Sequence, residues 1–297
     1  MSIGIPRALL YFWYGPIWEK FWQECGLQVA VSPPTDRKIM ADGAQAALDE
    51  FCLPVKIFLG HVRYLAARVD WVMIPHLVKV EKDAYICPKF MGLPDVVRHT
   101  LPDLKSKILI VKVGPQSPDM GASLRRAASA HGWESPRHFE MDERIWEMAL
   151  PAESSSPNIR LGILGHPYCL YDGLFNLQLL KLLTVNRVLY VTPEMMPGSF
   201  QGLGAGQLSK NLFWTIGRRQ FDALEWMLRY QNVQGFIHVS AFACGLEAII
   251  GDMLERRIKA AGIPLLKLNF EEHSGEAGFL TRLEAFLDLL QRRVFAC

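Results

Sequence analysis

Short runs of consecutive apolar residues alternate along the chain with segments whose apolar positions recur every three or four residues. Residues 1–6 read as a short buried strand, and a helical pattern follows over 13–25 until Gly26 stops it. Residues 27–32 form a second strand, closed by Pro33 and Pro34. Helical spacing returns over 36–50 and 53–67, strands are predicted at 70–75 and 107–113, and a helix at 121–131. Strands that are apolar throughout are buried on both faces, and their alternation with helices predicts an α/β fold built on a parallel sheet with helices on both sides.

The pattern restarts after PAESSSPN at 151–158, a polar, turn-rich cluster of linker type. Strands are then predicted at 160–165, 187–192, 235–240 and 264–268, with helices at 172–183, 208–230, 252–261 and 275–291. The two halves read alike. IGIPRALLYFWYGPIWEKFWQECGLQVAVSP opens the first and LGILGHPYCLYDGLFNLQLLKLLTVNRVLYVTP the second: each is a strand, a Gly/Pro turn with aromatics, a helix, then a strand ending in Pro. DWVMIPHLVKVEKDAYICP and GFIHVSAFACG also correspond, each running a strand into a loop with one cysteine. The expectation is two similar Rossmann-like or flavodoxin-like parallel-sheet domains, residues 1–150 and 159–297, facing a central cleft. In such folds ligands sit outside the carboxyl ends of the strands, which would put Cys87 and Cys244 on opposite walls.

Composition narrows the function classes. Of 297 residues, 50% are hydrophobic and 21% charged, which supports a large core and excludes a disordered chain. Lys and Arg total 32 against 30 Asp and Glu, so neither nucleic acid nor an anionic membrane surface is indicated as a partner. A membrane span needs about 20 mostly apolar residues. The best stretches, 8–18 and 161–171, are interrupted by Gly15 and Pro16, or by His166 and Pro167. The first residues carry no basic segment followed by a long apolar one, so no secretory signal is expected and a cytoplasmic location is.

Six cysteines, Cys25, Cys52, Cys87, Cys169, Cys244 and Cys297, are too sparse for a disulfide framework, and none forms a C-x-x-C pair. Cys52, Cys87 and Cys244 stand at predicted loop-to-helix junctions beside Pro or Gly, where backbone N–H groups favour thiolates and cluster sulfurs. The competing reading is a small buried hydrophobe. Cys25 reads as helix core and Cys297 as an exposed terminus. His61, His76, His166 and His273 lie near strand ends or loops; each could be a ligand or an acid–base group, or could simply donate to a backbone carbonyl. The Gly-rich stretch 198–206, GSFQGLGAG, matches neither the dinucleotide fingerprint nor a P-loop, and Lys210 is not placed as a P-loop lysine, so no ATP site is expected. Arg218 and Arg219 read as a solvated helix face, and the aromatic residues 11–14 and 21–22 as core.

IGIPRALLYF, EFCLPVKIFLGHV, VEKDAYICPKFMGLPD, LGHPYCLYD, LFWTIGRR, SAFACGLEA and EEHSGEAGFLTRLEAFLD occur in that order along nearly the full chain. Together they resemble the acyl-CoA dehydratase activase-related family. That family is similar to the subunits of 2-hydroxyacyl-CoA dehydratases and of double-cubane-cluster reductases. The resemblance implies that Cys52, Cys87 and Cys244 hold a [4Fe-4S] cluster or a larger iron–sulfur cluster. It also implies an ATP-dependent activase as electron donor, a second subunit of the same family or a homodimer, and an acyl-CoA or other small-molecule substrate. In that chemistry one low-potential electron makes the hydroxyl of a 2-hydroxyacyl-CoA a leaving group. The rival implication is a cluster-free α/β scaffold that docks the activase. Two departures from the family pattern stand out: Cys169 where Asn is usual, leaving it open as an alternative or fourth ligand or a packed thiol, and Glu271-Glu272 where Asp-Glu is usual.

Overall fold

The structure, a computed structural model, describes residues 1–79, 81, 83–114, 119–139, 148, 159–208 and 210–295. The predicted linker at 151–158 and Cys297 lie outside the described residues. The chain divides into two compact units, Met1–Trp146 with Phe213–Thr215, and Glu147–Leu212 with Ile216–Cys297.

In the first unit the order is β1 (Ser2–Ile5), α1 (Tyr11–Glu24), β2 (Gln28–Val31), α2 (Arg37–Ala46), α3 (Leu53–Ala66), β3 (Trp71–Leu77), α4 (Pro88–Met91), α5 (Leu93–Thr100), β4 (Ile108–Val113) and α6 (Met120–Ala130). The four strands form one parallel sheet in the order β2-β1-β3-β4. The aromatic residues of α1 are core as expected: Trp13, Tyr14, Trp18, Phe21 and Trp22 are buried. Two buried indole N–H groups find sulfur acceptors, Trp22 at 3.3 Å from Met73 and Trp18 at 3.5 Å from Met120. That keeps polar edges satisfied inside an apolar layer.

Helix α2 is capped by Asp36, whose carboxylate accepts from the Ile39 amide at 2.7 Å. It ends at Ala46, short of the predicted 50, because Ala47 turns extended and the chain must reach Cys52 to start α3. Helices α2 and α3 cross with backbones almost touching. A Cβ on Gly43 would stand 1.9 Å from the Lys56 carbonyl oxygen, and one on Gly60 1.9 Å from that of Ile39.

The second unit runs β5 (Arg160–Gly165), α7 (Pro167–Leu170), α8 (Leu179–Val185), β6 (Leu189–Val191), α9 (Thr215–Tyr230), β7 (Gly235–Ala241), α10 (Gly245–Ala260), β8 (Leu265–Phe270) and α11 (Glu276–Phe295). Its sheet is again parallel, in the order β6-β5-β7-β8. The expected pair of similar α/β sheets is therefore present, with the same strand order twice.

Three helix starts differ from the expectation. The pattern predicts a helix from 172, yet α8 begins at Leu179. Asp172 accepts from the amides of Leu174 and Phe175, Asn176 donates to the carbonyls of Cys169 and Leu170, and Leu177 and Gln178 adopt positive φ. Short polar side chains here offer the backbone a better partner than the next helical turn. Helix α9 begins at Thr215, not 208, because Phe213–Thr215 belongs to the first unit. Helix α10 begins at Gly245, seven residues before the predicted start at 252. Gly251 sits inside it because a Cβ there would stand 2.7 Å from Cε1 of His238.

Overpacking a closed core costs about 1–3 kcal/mol. Gly43→Ala and Gly60→Ala should each cost at least that, since each pushes a methyl into a carbonyl, whereas Gly132→Ala, with open space around its Cβ, pays only for its φ of +71°. Chemical denaturation of the three variants checks the order, with Gly132→Ala the mildest.

Candidate functional site

Each of the three candidate cysteines is the N-cap residue of a helix. Cys52 caps α3, Cys87 caps α4 and Cys244 caps α10. Pro54, Pro88 and Gly245 are the neighbours that set these starts: Pro suits the first helical positions because its missing N–H would be unpaired there. Cys87 follows β3 and Cys244 follows β7, the same strand of each sheet and the place where the strand order reverses. That is the position at which open α/β sheets bind ligands.

Within the first unit, Cys87 acts electrostatically on Cys52. Burial pushes both thiols up. The Val55 amide near the Cys52 sulfur and the Lys89 and Phe90 amides near that of Cys87 pull the other way. These amides stop short of formal cap hydrogen bonds. The Lys89 charge acts on both thiols in the same direction. Its ammonium also donates to the Glu50 carbonyl at 3.1 Å and lies 4.5 Å from the Phe51 ring centre, so it ties α4 to the segment that leads into Cys52. The Cys87 loop is fastened from elsewhere in the chain. The Tyr85 amide donates to the Phe213 carbonyl at 2.9 Å, the Thr215 amide donates to the Tyr85 carbonyl at 3.0 Å, and the Tyr85 and Phe213 rings stack at 4.7 Å.

The thiols are thus resting acids in partly donor-lined positions, suited to a cation that displaces their protons and less suited to act as free nucleophiles. Among the described residues, no three His, Cys, Asp or Glu side chains form a group placed to hold a metal ion. Thiol sulfur is the donor type that an iron–sulfur cluster takes, and Cys52, Cys87 and Cys244 each offer it at a helix start.

Cys169 is buried in α7. Cys25 is not helix core: it is the C-cap of α1 and only half-buried, with a thiol pushed up to about 11 by burial and then by Glu24. Of the histidines, His273 is exposed in the loop after β8, and His76 at the end of β3 interacts with the Met91 backbone. His61 is fully buried on α3, between Ser32 Oγ at 2.8 Å from Nδ1 and Thr35 Oγ1 at 3.0 Å from Nε2. His166 joins a buried group that the sequence pattern did not single out. Glu247 Oε2 lies 2.7 Å from His166 Nε2, Glu247 Oε1 accepts from His238 Nε2 at 2.5 Å, and the Tyr168 hydroxyl lies 2.6 Å from His166 Nδ1. Its signals in the sequence were His166, already a candidate, and a histidine in the otherwise apolar run GFIHVSA.

One further expectation changes. Arg218 and Arg219 are not a solvated face: Arg219 is buried, and the Arg218 Nε donates to the Leu212 carbonyl at 2.6 Å. The Gly-rich loop is no phosphate cradle, because its donors already hold a carboxylate. Asp222 of α9 accepts from the amides of Gly202, Gly204 and Ala205, each at 2.8 Å.

A family model described as CoA enzyme activase uncharacterised domain matches residues 2–196. The chain belongs to that family. A second model, 2-hydroxyglutaryl-CoA dehydratase, D-component, matches residues 176–290. The resemblance drawn from the motifs is borne out by both. The first match contains Cys52 and Cys87, and the second contains Cys244, His238 and Glu247. No curated protein matches the chain significantly.

Burial lowers His61 from its ordinary value to about 4, with Arg7 adding to the shift and Asp36 opposing it. The unfolded chain binds this proton below pH about 6.5 while the folded chain refuses it until about 4, so stability is complete above that window and falls as pH drops through it. The loss attributable to this side chain reaches about 3 kcal/mol. Urea midpoints measured from pH 7 to 4 should fall more steeply for the wild type than for His61→Gln. Parallel curves would contradict the assignment.

Proposed function

We propose that this chain is an iron–sulfur component of the 2-hydroxyacyl-CoA dehydratase type. Its ligands are Cys52, Cys87 and Cys244, and its cluster is a [4Fe-4S] or larger. The reading is carried by the setting of these three cysteines, each starting a helix, with Cys87 and Cys244 starting the first helix after equivalent strands of two like sheets. A cluster held there would supply one-electron transfer at a potential tuned by charge, hydrogen bonds and solvent access.

The chain's own residues prepare the site. Metal must displace protons from Cys52 and Cys87, so loading is favoured by rising pH. The amides of Val55, Lys89 and Phe90 and the Lys89 charge offset the negative charge that loading leaves on the sulfurs. The chain does not use ATP through its Gly-rich loop, whose amides are taken by Asp222. We assign the energy source to a separate ATP-dependent activase. A second subunit of the same family, or a second copy of this chain, completes the assembly, and an acyl-CoA is the substrate class. Residues 1–150 and 159–297 act as two related domains, and the reading places the protein in the cytoplasm, consistent with the described helices, none of which is long and apolar enough to cross a membrane.

The second reading, a cluster-free scaffold that docks the activase, is favoured by one observation, that no described group of side chains is arranged to hold a metal. Strictly anaerobic purification with iron and sulfide counts and electron paramagnetic resonance of the reduced protein separates the two. Cys52→Ser, Cys87→Ser and Cys244→Ser should each lower bound iron and change the reduced signal. Cys25→Ser and Cys297→Ser should leave both unchanged, and Cys169→Ser should retain a near-wild-type cluster. Equal iron in all six variants, or none in the wild type, would sink the iron–sulfur reading.

A further inference from the structure

The second unit buries a negative charge directly along the helix from Cys244. Glu247, in the first turn of α10, is 3% exposed. It is met from three other elements: by His166 in the turn after β5, by His238 on β7, and by Gln220 of α9, whose Nε2 lies 3.3 and 3.4 Å from the two carboxylate oxygens. The His166 contact, at 2.7 Å, lies off the line of a well-formed hydrogen bond. Burial by itself would raise the Glu247 carboxyl; His166 and then His238 outweigh it and hold the group well below the usual carboxylate range.

Such a cluster is a poor way to gain stability. Buried charges lose hydration that their partners only partly restore, and apolar side chains of the same volume often serve as well or better. What it does supply is a single geometry. An apolar turn could slide on the sheet, whereas a carboxylate shared between two imidazoles fixes both the height and the rotation of α10. An independent feature lies just upstream. Ala243 has φ +61°, a left-handed conformation that is unfavourable for a non-glycine residue and persists only where the surroundings enforce it. Cys244 is the N-cap residue of α10, and its carbonyl accepts from the Ala248 amide at 3.0 Å, so the turn that Glu247 holds is the one that carries the thiol.

We propose that Glu247 is the positioning residue for Cys244: bridged between His166 and His238, it locks the first turn of α10 to the inner strands β5 and β7 and thereby sets the direction and exposure of the Cys244 thiol. This rests on the reading of Cys244 as a working thiol and supplies the cause of its placement.

The test uses the full chain, metal-free and anaerobic, with a short iodoacetamide pulse and mass-spectrometric counting at each cysteine. Glu247→Gln keeps the shape but turns an N–H₂ toward an imidazole, which opens the bridge. Cys244 alkylation should rise at least tenfold while Cys52 and Cys87 stay within twofold of wild type, and His238→Gln should act in the same direction. When Glu247→Gln is reconstituted with iron, its reduced paramagnetic signal should change shape at an iron content near wild type. Unchanged Cys244 alkylation in a variant that melts like wild type would overturn the proposal, as would a rise shared equally by all the cysteines. Should the variants not fold, hydrogen exchange of the wild type decides: the Ala248 and Ile249 amides must exchange as slowly as that of Val239 on β7, and exchange a thousandfold faster would reject the lock. Full iron retention in Cys244→Ser would remove the cluster role yet leave the alkylation result standing, because that arm needs no metal.

Discussion

Parallel strands impose the constraint on which everything else in this chain depends. Two hydrogen-bonded parallel neighbours cannot be joined by a tight turn, so every crossover carries the chain back along a helix or long loop, and each following segment starts at the carboxyl edge. A helix that starts there aims its unpaired N–H groups at that edge. Cys52, Cys87, Cys244 and His166 all occupy such starts. Because the strand order is the same in both units, the arrangement that puts Cys87 after β3 also puts Cys244 after β7.

The two units solve the same problem with different chemistry. In the first, the cysteine-bearing segments are held by neutral and cationic contacts: Lys89 on the Glu50 carbonyl and the Phe51 ring, Tyr85 paired with Phe213 and Thr215, and the glycine crossing of α2 and α3. The buried histidine there, His61, lies between two hydroxyls and is kept neutral. In the second, the corresponding edge contains an ionised carboxylate between two imidazoles. The same fold therefore carries neutral and cationic contacts at this edge in one half and a buried carboxylate in the other.

Backbone donors are also used selectively. The Gly-rich loop, which invites reading as a phosphate site, spends its amides on Asp222, and the turn after β5 spends its own on Asp172 and Asn176. The helix starts at Cys52 and Cys87, by contrast, direct amides toward sulfur without any competing side-chain oxygen in the cap. Where a buried polar group is met by its own chain, a ligand gains little by replacing it; where the donors face a thiol, charge on sulfur is what they favour.

The sequence by itself determined the fold class, the repeat, the approximate strands and the three helix-start cysteines, because these are local: runs of apolar residues must be buried, and Pro or Gly beside a cysteine marks a break that any tertiary context respects. It also determined the family, through motifs that need no coordinates. It did not determine where α8, α9 and α10 begin. Those starts depend on Asp172 and Asn176 capturing nearby backbone, on Phe213–Thr215 pairing with Tyr85 far away in the chain, and on a glycine at 251 that only makes sense with the His238 ring against it. The role of Glu247 was equally invisible. A glutamate in the first turn of a helix is ordinary on a surface, and only the packing of β5, β7, α9 and α10 around it makes it a buried charge between two histidines. Local pattern fixes what each segment prefers; which side chains become partners is decided by distance in three dimensions, and that exists only once the segments have packed.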